Sequence, residues 1–63
     1  MTQNEFKALH SGQIIYHTMY RDRWKITGNM QGSLKTGSAK WPLKHGIYDF
    51  GYLRLGNMHL YTI

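Results

Sequence analysis

No cysteine occurs among the 63 residues, and that absence constrains the fold more than any motif in the chain. A domain this short buries only about 60% of the surface its unfolded form exposes, and its core rarely supplies more than about 3–5 kcal/mol. Small folds commonly add disulfides or a structural zinc. Here the first is excluded, and the usual zinc sites lack their main ligand. Cohesion must come from large side chains or from a partner. The chain has two tryptophans, five tyrosines and two phenylalanines, and each buried aromatic removes about 150–250 Å² from water. That inventory suits one small barrel, with residues 1–63 as a single domain.

The stretch "NEFKALHSG" reads as a short helix or lid within residues 1–12. Asn4 suits an N-cap, Glu5 favours the positive end of the helix, and Gly12 suits the exit. Phe6 and Leu9, three apart, share one face. Two turns are marginal alone, so this piece must lie on the remainder, residues 13–63.

After Gly12 the chain turns to β-branched and aromatic residues. "QIIYHTMY" predicts a strand from Gln13 to Met19, and "RDR" a tight bend. "RWKITG" alternates strictly: Trp24 and Ile26 on one side, Arg23, Lys25 and Thr27 on the other. That is the rhythm of a half-buried strand, with Trp24 turned inward. "GNMQGSLKTGSAK" is turn-rich and has room for one short strand, Ser33 to Thr36. Pro42 lacks a backbone donor and is expected on an edge or just beyond a strand. "IYDFGYLRL" predicts a long strand with a bulge or bend at Gly51. "YLRL-GN-MHLY" predicts a hairpin on a Gly-Asn turn. Five short strands between glycine turns point to a mainly β, strongly bent five-stranded barrel of SH3-like type, with a short N-terminal helical turn.

The stretch "ALHSGQIIYHTMYRDRWKITG" resembles the opening of small bacterial and phage SH3-like barrel proteins across residues 8–28. The shared pattern is an apolar residue (Leu9), a glycine (Gly12), a strand (Ile14 to His17), a charged bend (Arg21 to Arg23) and a second strand with a central aromatic (Trp24 to Ile26). The resemblance implies a binding module and assigns no site residues.

Chemistry-bearing residues are sparse. His10, His17, His45 and His59 form no i, i+4 pair and no pair two apart, and the carboxylates are Glu5, Asp22 and Asp49. No metal site and no cofactor is expected from such spacings. "GNMQG" and "GSLKTG" lack the spacing of a P-loop. RNA cleavage needs only a base, an acid and cations near the phosphate. "KHGIYD" gathers His45, Tyr48 and Asp49, so a small ribonuclease toxin stays open as an alternative.

Eight Lys and Arg against three acids give a formal charge of +5, which attracts nucleic acid or an acidic protein surface. The leading expectation is a non-catalytic module that contacts nucleic acid through Arg23, Lys25, Lys35, Lys40 and Lys44, with Trp41 and one or two of Tyr16, Tyr20, Tyr48, Tyr52 and Tyr61 stacking on bases. Two competing readings are that Trp41 caps one end of the core and that the cations are spread over a solvated surface. A second functional alternative is a regulator of the phage or mobile-element type that binds and inhibits a host protein. Self-association through the strand edge beside Pro42 or through "MHLYTI" is a further partner expectation. No apolar run approaches the roughly 18–20 residues that span a bilayer, and "MTQNEFKALHSG" has no apolar signal segment. Cytoplasmic residence without a membrane partner is therefore expected.

Overall fold

The computed structural model describes all 63 residues. A helical turn, α1 (Gln3–Lys7), precedes β1 (Ile14–His17), β2 (Arg23–Ile26), β3 (Lys40–His45) and β4 (Asp49–Arg54); a 3-10 turn (Met58–Leu60) then leads into β5 (Tyr61–Thr62). The strands form one antiparallel sheet in the order β4-β3-β2-β1-β5. The sheet curls into a half-barrel, with β4 and β5 as its unpaired ends. The expected mainly β, strongly bent, five-stranded architecture with one helical turn is what the chain forms.

The concave side holds the core. Ile15, Ile26, Trp41, Leu43, Leu53 and Tyr61 come from the strands, and Phe6, Leu9 and Ala39 from the connecting segments. Phe6 and Leu9 share the buried face of the helical segment, as their spacing predicts. The helix cap is Thr2, not Asn4. Its hydroxyl accepts from the Glu5 N–H at 3.1 Å and the Glu5 carboxylate accepts from the Thr2 N–H at 2.8 Å, a closed capping box. That backbone donor holds the Glu5 carboxyl below its ordinary value. The chain leaves the helical segment through Gly12, whose φ of +91° only glycine adopts freely.

Several local expectations are corrected. Ser33 to Thr36 is a turn, closed by the Ser33 carbonyl accepting from the Ser38 and Ala39 N–H groups. At its entrance Gly32 has a φ of +73°, and a Cβ there would collide with the Ser38 carbonyl oxygen. The strand falls instead on Lys40–His45, and Pro42 sits inside the sheet between β2 and β4. The sheet tolerates it because Pro42 faces the very end of β2. Its carbonyl still accepts from the Thr27 N–H at 3.0 Å, and the one bond a proline cannot make falls where the ladder stops.

Gly51 is no bulge. Pairing runs without a slip from Lys40↔Arg54 to His45↔Asp49.

The expected "YLRL-GN-MHLY" hairpin does not form either. β4 hairpins with β3 across the turn at Gly46, while β5 crosses to pair with β1. Asn57 explains why β4 takes no partner there. Its side-chain carbonyl accepts from the Arg54 N–H at 2.7 Å, and its amide donates to the Tyr52 carbonyl at 3.1 Å. The side chain thus occupies two backbone groups that a neighbouring strand would use.

Candidate nucleic-acid interface

Side chains alternate along a strand, and directly opposed residues share a face. Because Ile15, Trp24, Ile26, Trp41, Leu43 and Leu53 face the core side, the convex side carries the intervening residues. One row across it is Ile14, Lys25, Lys44 and Phe50. Beside that row lie Tyr16 opposite Arg23, then Pro42 opposite Tyr52, then Lys40 opposite Arg54. The convex face therefore collects Arg23, Lys25, Lys40, Lys44 and Arg54 and interleaves them with Tyr16, Phe50 and Tyr52. Phe50 is 71% exposed, Tyr52 41% and Tyr16 40%.

Two features of this face work against folding. Lys25 lies directly opposite Lys44, and Lys40 directly opposite Arg54. Like charges in such positions destabilise a sheet by a few tenths of a kcal/mol or more. No acid relieves them. Glu5 belongs to α1, Asp22 to the bend before β2, and Asp49 to the core-side row opposite His45. The one basic side chain within 4 Å of a carboxylate is His45, with Nε2 3.9 Å from Asp22 Oδ2, so every Lys and Arg is free of a carboxylate partner. Tyr52 partly compensates one pair: Lys40 Nζ stands 4.2 Å and Arg54 Cζ 5.3 Å from its ring centre, both within cation–π range. Lys25 and Lys44 have no such ring. They border a shallow hollow of about 360 Å³, shared with Ile14, Arg23 and Gly46 and with the core-side Trp24 and His45. A second hollow beside it runs from Thr27 and Pro42 to Phe50 and Tyr52.

Of the residues expected to bind, Arg23, Lys25, Lys40 and Lys44 are thus brought onto one face. Lys35 is not: it lies in the turn between Ser33 and Gly37, outside the sheet. Trp41 is corrected outright. It is buried, 6% exposed, with Nε1–H donating to the Phe6 carbonyl at 3.0 Å and the Phe6 ring edge-on at 6.4 Å. The helical segment covers the indole, so no base reaches it. Sequence reasoning expects some of the tyrosines, Tyr16 and Tyr52 among them, to be exposed without choosing between them, and it overlooks Phe50. Tyr16 follows the buried Ile15 and Tyr52 precedes the buried Leu53, whereas Phe50 lies between the exposed Asp49 and the half-buried Gly51.

Trp24 lies on the core side as expected, half-buried, packed near His45 (5.2 Å) and Tyr61 (6.5 Å). Its indole nitrogen and Asp22 Oδ1 are buried without partners. Tyr61 is held protonated above its ordinary value, first by burial and then by the Asp22 charge.

Within the grouping of His45, Tyr48 and Asp49, strand pairing sets His45 directly opposite Asp49. His45 Nδ1–H donates to the Arg23 carbonyl at 2.6 Å, and Nε2 faces Asp22. At 3.9 Å the Asp22 contact is too long for a hydrogen bond, so only Nδ1 of this ring is tied up within the protein. Tyr48 projects from the β3–β4 turn, 85% exposed. No three His, Asp or Glu side chains converge as metal ligands, and no helix is long and apolar enough to cross a membrane.

No protein-family model, curated protein or solved structure matches this chain.

Proposed function

We propose that the protein is a small non-catalytic module that binds nucleic acid on the convex face of its sheet. The observation that carries this reading is the pair of like-charged residues set directly opposite each other, Lys25 with Lys44 and Lys40 with Arg54, on a face without an acid. Such an arrangement costs stability in the free protein, and a polyanion laid across it removes the cost. Arg23 extends the positive strip along β2. The interleaved rings distinguish this face from a merely solvated basic surface, since aromatic side chains next to cations offer stacking positions for bases.

The test is a titration of labelled single-stranded and duplex oligonucleotides at about 50 mM salt, repeated as salt rises. Binding is expected, with affinity falling linearly on logarithmic axes. Lys25→Gln with Lys44→Gln should flatten the slope by roughly 1.4–1.8, because two fewer phosphates are neutralised. Absence of binding to either probe refutes the proposal, as does binding whose salt slope the double substitution leaves unchanged.

A further inference from the structure

We infer that the convex face selects single-stranded nucleic acid: a phosphate sits at the Lys25–Lys44 hollow, and bases stack on Phe50 and Tyr16 on either side. This rests on the nucleic-acid reading above and adds to it which form of the polymer is held and by which side chains.

Phe50 is directly beside Lys44, and Lys44 directly beside Lys25, on consecutive strands β4, β3 and β2. Tyr16 lies on β1, one strand beyond, opposite Arg23. Neighbouring strands stand about 4.8 Å apart, so the span from β4 to β1 is about 14 Å. The row across the sheet runs Phe50, Lys44, Lys25, Ile14, and Tyr16 stands diagonally from Lys25, two residues along β1 from Ile14. A single strand crossing the sheet meets it as base, phosphate, base, with its backbone over the lysines.

A duplex fits poorly. Its bases are stacked on one another, and their faces are closed to side chains. A duplex resting on the lysines would press its backbone against the Phe50 ring, which stands 71% exposed beside them. The recognition of splayed, unstacked bases by aromatic side chains is a property of single strands. The third ring, Tyr52, already has Lys40 at 4.2 Å and Arg54 at 5.3 Å. It therefore holds those two cations at the flank of the path and is not assigned a base.

The test uses the full chain with oligothymidylate, oligouridylate and a mixed-sequence hairpin duplex, under identical salt. Either single strand should bind at least tenfold more tightly than the duplex. Phe50→Ala should weaken single-strand binding about tenfold while leaving the salt slope unchanged, because a ring and no charge is removed. Phe50→Trp should restore it. Phe50 is exposed, so circular dichroism should show both variants folded as the parent is. Duplex binding as tight as single-strand binding overturns the inference and leaves the nucleic-acid reading standing, and so does single-strand affinity indifferent to Phe50→Ala. No binding to any probe refutes both.

Discussion

Replacing Trp41 by phenylalanine separates a core pin from a stacking platform, because the two roles predict opposite pairs of outcomes. In the structure the Trp41 indole is covered by the helical segment and donates to the Phe6 carbonyl at 3.0 Å. Losing that hydrogen bond costs about 1 kcal/mol. The smaller ring gives up roughly 40 Å² of buried apolar surface, about another 1 kcal/mol. A loss of about 2 kcal/mol is large against the roughly 3–5 kcal/mol that a core of this size supplies. At about 4–8 °C per kcal/mol for a domain near this length, the melting midpoint should fall by about 8–16 °C. The assay is thermal and urea unfolding followed by far-ultraviolet circular dichroism, paired with oligonucleotide titration at a temperature where both proteins are folded. Affinity per folded molecule should be unchanged. A melting point within about 2 °C of the parent, together with a severalfold loss of affinity, would refute the assignment of Trp41 to the core.

The other predictions concern the sheet edge and alkaline pH. Asn57→Ala frees the Arg54 N–H and the Tyr52 carbonyl on the outer side of β4. The variant should self-associate more than the parent at equal concentration, seen by light scattering after size exclusion; identical masses across a concentration series would show that Asn57 does not guard that edge. Tyr61 is held protonated in the fold by burial and by Asp22, so the unfolded chain loses this proton first. Its contribution is complete below the ordinary tyrosine value near 10 and is lost as pH rises through the higher folded value. The urea midpoint should therefore fall above about pH 10, and less steeply in Tyr61→Phe; parallel curves for the two proteins would contradict the desolvation argument.

Much of the strand content is legible in the sequence because it rests on short-range rhythm and residue type. "RWKI" alternates polar and apolar residues, "IIYH" and "DFGYLR" are rich in aliphatic and aromatic ones, and all three form strands. Phe6 and Leu9 are recognisable as one buried face from their spacing alone. Two pieces mislead where local chemistry competes with long-range pairing. Pro42 argues locally against a strand interior, yet β2 ends opposite its missing donor. "GN" argues locally for a hairpin, yet Asn57 commits its side chain to the backbone of β4.

The candidate site divides along the same line. The sequence by itself determined the surplus of positive charge, the surplus of aromatic rings and the face of β2 that carries Arg23 and Lys25. It did not determine that Lys25 meets Lys44, that Lys40 meets Arg54, or that Phe50 stands at the end of the first pair. Those neighbours are set by register between strands that are 19, 14 and 6 residues apart in the chain (Lys25 to Lys44, Lys40 to Arg54, Lys44 to Phe50). Trp41 shows the same limit: flanked by Lys40 and Pro42 it reads as a loop aromatic, and only the arrival of Phe6 from the far end of the chain puts it under cover. Alternation is a property of one strand and is written locally. Which side chains become neighbours depends on how strands slide and pair, and that is decided by the packing of the whole core.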